Sequence, residues 1–191
     1  MVKMTAMPQM VALFNGAGGG AAALVAILEF SRQIDAGALE FGATLATLLA
    51  LIIGAVSFSG SAVAFGKLQG IITPKAFRYV GQQLVTGGIA AATALLSLVL
   101  LAGAIAGSVP VAPMLVIAVI TLLALVFGVA LVMPIGGADM PVVIALLNSF
   151  TGIAVAIAGF VIDNGALIIG GALVGASGGI LTLLMARAMN R

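Results

Sequence analysis

The sequence contains no cysteine and no histidine, and only 6% of its 191 residues are charged. Without cysteine it can build no disulfide framework, thiol nucleophile or cysteine-ligated metal centre. Without histidine it lacks the commonest metal ligand and the one side chain that titrates near neutrality unperturbed. No catalytic residue and no metal site is therefore expected within the chain. What fills the sequence instead is hydrophobic, at 63% of positions. A soluble domain must turn a polar face to water, so it cannot be apolar all round. In a bilayer, backbone groups are satisfied within each segment, and long helices are the solution. The expected fold is all-α, a polytopic transmembrane helix bundle embedded in lipid.

A span needs about 20 apolar residues to cross roughly 30 Å of hydrocarbon. Six segments reach that length: Met7–Phe30, Glu40–Phe65, Gln82–Ala106, Pro113–Met133, Met140–Ile162 and Gly165–Ala188. The first outruns a signal peptide and lacks a convincing cleavage site, so it reads as a span. Lys3, Lys67, Lys75, Arg78, Arg187 and Arg191 then share one face. Only Arg32 lies on the other, among Glu29, Asp35 and Glu40. Lysine and arginine mark the cytoplasmic side, so both termini are expected there. Residues 1–191 are expected to be a single transmembrane domain. Val109–Pro113 and Asp163-Asn164 read as tight turns between antiparallel neighbours. The cytoplasmic loop 67–81 is the longest and most polar connection, with room for a short surface helix and a docking partner.

Glycine occurs 26 times, mostly inside the spans. The run GAGGGAAA from Gly16 to Ala23 allows close helix approach, and Gly171, Gly175 and Gly179 repeat along one face of the sixth span. Association in lipid depends on close contact, so such stripes mark helix packing.

No ionisable group lies at midspan, where one would point to an ion pathway. The interior polar residues are neutral: Asn15, Ser57, Ser59, Ser61, Thr93, Ser97, Thr121, Asn148, Ser149 and Thr151. Serine and threonine can bond the carbonyl one turn back, so most need no special role. Asparagine does this less easily, and an unpaired amide in hydrocarbon costs several kcal/mol. Asn148 lies about 13 Å beyond Asp139 at helical rise, near the midplane. Asn15 lies at a similar, slightly shallower depth. Each reads either as an interhelical bond that fixes packing or as a site that orients water for a proton. Asp139, in GGADMP with Pro141 in the first turn, reads as an N-cap. It also puts a carboxylate at the cytoplasmic mouth beneath Asn148.

The strings SFSGSAVAFGKLQG from Ser57, GGADMPVV from Gly136, LLNSFTG from Leu146 and GALVGASGGILTLLMARAMNR from Gly171 carry a resemblance. With KMTAMP from Lys3, they spread in order over five of the six spans. The chain resembles the membrane region of the β subunit of proton-translocating nicotinamide nucleotide transhydrogenases. That resemblance implies hydride transfer between NAD(H) and NADP(H) while a proton crosses the membrane. The nucleotides would bind in soluble domains, so no cofactor is expected in this chain. It also implies a membrane portion of a longer subunit, short of helices before KMTAMP and of an NADP(H)-binding domain after Arg191.

The family's intramembrane polar positions fall on Ser61, Asn148 and Asn15, the last a histidine in many members. Asp139 matches an aspartate associated with coupling to the NADP(H) domain, and the Lys67–Arg78 segment is expected to share that role. A helix of a partner α-type subunit is then expected to supply the titratable group, facing Asn15, Ser61 and Asn148. The implied partners are that subunit with its transmembrane helices, the NADP(H)-binding domain, a second copy in a homodimer, and the lipid bilayer. No nucleic acid is expected, and the implied location is a bacterial inner membrane. The isolated chain is expected to be inactive, because neither glycine-rich stretch sits in the βαβ setting of a dinucleotide site. Two rivals are a structural scaffold that anchors and dimerises soluble subunits, and a small-solute transporter. The lack of buried charge favours the scaffold over an ion transporter, and the lack of an internal repeat weakens the transporter.

Overall fold

The computed structural model describes residues 6–37, 39–107 and 112–190. Lys3, Arg191, most of the expected Val109–Pro113 turn and the first residues of KMTAMP lie outside them.

All six expected spans form helices: α1 Met7–Asp35, α2 Phe41–Leu68, α3 Gln82–Ile105, α4 Pro113–Val132, α5 Met140–Val161 and α6 Gly165–Ala188. Each is long and apolar enough to cross a membrane, and the described residues contain no strand. Pro8, Pro113 and Pro141 stand in the first turns of α1, α4 and α5. There a missing N–H leaves no intrahelical bond unmade. The Asp163-Asn164 connection is as short as the sequence suggests. Asp163 takes a left-handed φ of 52°, and Asn164 caps α6 by accepting a bond from Leu167 N at 3.2 Å.

Two helices run longer than the apolar pattern alone predicts. α1 continues past Phe30 to Asp35, and α2 past Phe65 to Leu68. The first extension is explained by packing, because Gln33 is buried between Thr44 and Thr47 of α2. Its Nε2 donates to Thr47 Oγ1 at 3.1 Å, and its Oε1 accepts from Thr44 Oγ1 at 3.2 Å. The second extension places Lys67 on a helix end rather than in the loop.

The bundle is centred on α2, which packs against α1, α5, α4 and α3. In its most apolar stretch 67% of residues are buried, against 17% in α3 and in α6. α2 and α5 are therefore the interior helices, while α3 and α6 are peripheral. The α5–α6 seam is backbone on backbone. A Cβ on Gly171 would stand 2.7 Å from Gly152 O and 2.8 Å from Ala156 Cα, closer than real Cβ atoms come. Gly175 and Gly178 are also buried in this seam, and Ser149 Oγ donates across it to Gly175 O at 2.6 Å. Gly179 lies at its edge, where a Cβ would meet Ser149 Oγ at an ordinary 3.5 Å. The buried third member of the stripe is Gly178. A three-residue step suits the helical period as well as a four-residue one.

The short surface helix envisaged for loop 67–81 does not form. Beyond Leu68 the chain runs through turns, bends and irregular backbone. Pro74 removes a donor and disfavours a helical residue before it. Gly70 sits at φ 76°, a left-handed position that glycine takes without strain. The loop's backbone bonds go instead to the α4–α5 connection. Phe77 N donates to Met133 O at 3.2 Å, and Gly137 N donates to Pro74 O at 2.8 Å.

Candidate functional site

Buried polar groups inside an apolar bundle must find partners. Ser59, Thr93, Ser97 and Thr121 do so locally, each donating to a carbonyl four residues back. Asn15, Ser57, Ser61 and Thr151 bond between helices instead, as Ser149 and the Gln33–Thr44–Thr47 group do elsewhere. Asn15 of α1, 6% exposed, donates through Nδ2 to Ser61 Oγ of α2 at 2.8 Å and to Ser57 Oγ at 3.3 Å. Ser57 Oγ donates to Leu147 O of α5 at 2.9 Å and lies 2.5 Å from Thr151 Oγ1. One neutral polar cluster therefore ties three helices together in the buried middle of the bundle.

Glycine makes room for it. Gly16 packs on Ser61, where an added Cβ would lie 3.3 Å from Ser61 Cβ, and Gly18 faces the Thr151 methyl. The Gly16–Ala23 run thus seats α1 against both α2 and α5.

Asn15 and Ser61 are in direct contact; Asn148 is not part of their network. It lies half-buried on another face of α5, in an open groove of about 340 Å³. Val11 of α1, Ile144 and Ala145 of α5, and Leu181 and Met185 of α6 supply the groove's apolar lining. Among the described residues the Asn148 amide makes no hydrogen bond. Its distance from the cluster follows from helical spacing. Asn148 and Thr151 are three residues apart, enough to turn one toward the groove and the other toward Ser57.

A second polar centre occupies the end of the bundle that carries loop 67–81. Lys67, only 2% exposed, donates through Nζ to Met133 O at 2.5 Å, Ile135 O at 2.8 Å and Lys75 O at 3.5 Å. One ammonium thereby binds two connections at once. Asp139 closes a short 3₁₀ turn, Gly137–Asp139, directly before α5. It occupies the N-cap position without a side-chain capping bond, so the expected cap is positional only. Arg78 stands exposed on the loop. At the opposite end, Arg32 pairs with Glu29 at 3.5 Å across an exposed turn, a contact of little energetic weight.

Sequence reasoning assigned no role to Ser57 or Thr151, and did not single out the Gln33–Thr44–Thr47 group. A usable signal existed for Ser57, which stands four residues before Ser61 and so on the same face of α2. Thr44 and Thr47 are likewise three apart, facing α1. No group of three or more carboxylates that could hold a metal occurs among the described residues.

Six apolar helices around a buried, uncharged polar cluster define a polytopic helical membrane protein. The chain belongs to the NAD(P) transhydrogenase beta subunit family, whose sequence model matches residues 1–191. Two Rhodospirillum rubrum proteins described as NAD(P) transhydrogenase subunit beta are each 43% identical over 209 aligned residues. The match covers all of this chain and 40% of each relative, so the chain spans well under half their length. The family expected from the SFSGSAVAFGKLQG and LLNSFTG strings is the one found.

Proposed function

We propose that the chain forms part of the membrane sector of a proton-translocating nicotinamide nucleotide transhydrogenase. Proton passage there is coupled to hydride transfer between NAD(H) and NADP(H), which bind in soluble domains outside these residues. On this reading residues 1–191 act as one transmembrane domain in a bacterial inner membrane, with both termini and loop 67–81 cytoplasmic. The observation that carries it is the buried Asn15–Ser61 hydrogen bond of 2.8 Å in a membrane chain of this family. Nothing in the comparisons favours the rival reading of a passive anchor.

Amides and hydroxyls can orient water and pass hydrogen bonds along, but they do not hold the charge of a moving proton. The titratable group must come from elsewhere, and a transmembrane helix of the α-type subunit is the proposed source. Asn148 offers such a helix an unsatisfied amide in an apolar groove, where pairing is favourable in lipid. Lys67, Arg78 and Asp139 are the proposed coupling elements, transmitting the protonation state to the NADP(H)-binding domain through the joined loops. The assembly is proposed to be a homodimer of the complex. Alone, the chain is expected to transfer no hydride.

The test uses the complete enzyme in sealed vesicles. Asn15→Leu keeps the volume but leaves the Ser57 and Ser61 oxygens without the amide donor. A lost buried partner of this kind corresponds to about tenfold in rate, so nucleotide-driven proton pumping is expected to fall by about that factor. Pumping at the parent rate in a well-folded Asn15→Leu enzyme would remove the cluster from the proton route.

A further inference from the structure

The first half of α3 stands away from the bundle. The helix buries Thr93, Ser97, Leu100, Gly103 and Ala104, but none of residues 82–92. Between α3 and α4 this leaves an open crevice of about 280 Å³, with Gln82, Gln83 and Gly87 on one wall and Phe127 and Leu131 on the other. A further crevice of about 170 Å³ continues it, sharing Ala90 and Phe127 and reaching Ala94 of α3 and Ile52 of α2. Gln82 and Ala94 are about 18 Å apart along the helix at its usual rise. One leaflet of a bilayer has about 15 Å of hydrocarbon.

Polarity is graded along that depth. At the loop end, the Gln82 and Gln83 amides make no hydrogen bond among the described residues. Deeper down the walls are apolar. Thr86 Oγ1 is enclosed, and Thr93 turns its hydroxyl back to Ile89 O at 2.8 Å. Charge at the mouth has one sign, since no aspartate or glutamate occurs between Glu40 and Asp139. Lys67 is occupied by loop carbonyls, whereas Lys75 and Arg78 are exposed and make no ion pair among the described residues. Arg78 directly precedes the turn in which Gln82 N donates to Tyr79 O at 3.3 Å. Tyrosine is a residue of the headgroup level.

A polar, cationic mouth over an apolar slot one leaflet deep is the complement of a lipid with an anionic headgroup. We propose that the α3–α4 crevice holds one anionic phospholipid. An acyl chain lies along Gly87, Ala90 and Ala94, and the phosphate meets the Gln82 and Gln83 amides and the Arg78 guanidinium. Gly87 fits this occupant. A glycine inside a helix costs stability, and a Cβ at Gly87 meets nothing within 4 Å, so packing within the chain does not require it. A hydrocarbon chain drawn close along the helix does. The site requires the chain to lie in a bilayer and is independent of the proton route.

The experiment is native mass spectrometry of the complete enzyme in detergent, titrated separately with phosphatidylglycerol and phosphatidylcholine. The parent is expected to retain one phosphatidylglycerol per copy of this chain, about thirtyfold more tightly than phosphatidylcholine, as two basic residues at a membrane surface predict. Arg78→Gln lowers that preference about fivefold. Gly87→Leu fills the slot and loses the retained lipid. Gly88→Leu, next to it but off the crevice wall, keeps the lipid. Both leucines enter open space on a helix, so both variants fold. Retention in Asn15→Leu equals the parent's, whatever that variant does to pumping.

Equal retention of the two lipids overturns the site. So does a retained lipid that survives Gly87→Leu, or one lost equally from both leucine variants. A Gly87→Leu enzyme that sheds a protein subunit in place of a lipid overturns it too, and assigns the crevice to a partner helix.

Discussion

Gly171→Ala is expected to lower the thermal midpoint of the folded protein by about 10 °C, while Gly170→Ala leaves it unchanged or slightly raised. The two glycines are neighbours in sequence and opposites in space. A methyl on Gly170 meets nothing within 4 Å, whereas one on Gly171 would stand 2.7 Å from Gly152 O and 2.8 Å from Ala156 Cα. Both obstacles are main chain, so no rotamer change relieves them. The helices must part, and separating them weakens the Ser149–Gly175 bond of 2.6 Å as well. Overpacking a seam of this kind costs about 3 kcal/mol. Gly170→Ala instead removes glycine's backbone freedom from an exposed helical position, worth up to about 1 kcal/mol in the other direction. Thermal unfolding followed by circular dichroism of the two purified variants checks the contrast. Equal midpoints would mean that α5 and α6 do not meet at Gly171.

Lys67→Met is expected to uncouple the complete enzyme, lowering protons pumped per hydride transferred about tenfold, with hydride transfer changed less than about twofold. The methionine stem replaces the aliphatic part of lysine, so α2 keeps its packing. What disappears is the ammonium that draws Met133 O, Ile135 O and Lys75 O to one point. Met133 O retains Phe77 N at 3.2 Å, but Ile135 O and Lys75 O lose this buried donor. The loss at half-buried Ile135 O costs up to about 1–3 kcal/mol and that at exposed Lys75 less, and the penalty falls on the joint between the two loops rather than on the bundle. Asp139 stands four residues past Ile135, on the segment that would be released. Simultaneous pumping and absorbance measurements in vesicles read the ratio. Parent coupling in Lys67→Met would show that the clamp only holds the loops in place.

The six helices were legible because each is a run of about 20 apolar residues closed by prolines, glycines or charges, which is what a bilayer demands. Their ends were less so. Gln33 looks like loop in the sequence because an isolated amide is unwelcome in a span. Only the fold supplies Thr44 and Thr47, which satisfy it. Lys67 misled in the same way, since a lysine near a span end usually reaches for water. Here the carbonyls of two loops replace water. Asn15 was picked out by its chemistry and by the family resemblance, and Ser61 by the resemblance alone. Ser57 and Thr151 were passed over because hydroxyls in helices usually settle on their own backbone, as Ser59, Thr93, Ser97 and Thr121 do. The period of a helix separates Asn148 from the others, and residue type alone carries no such azimuth.

On the proposed reading, Asn15 and Ser61 act as one unit in proton passage. A double-mutant cycle on proton pumping by the complete enzyme tests it directly. Residues in contact share an interaction energy, while separate ones add. Asn15→Ala with Ser61→Ala is predicted to pump no more slowly than the worse of the two single variants. Asn15→Ala with Asn148→Ala is predicted to show the product of the single effects. If the Asn15 and Ser61 effects multiply as independent losses, or if neither single variant slows pumping, the cluster is helix packing and the proton crosses elsewhere.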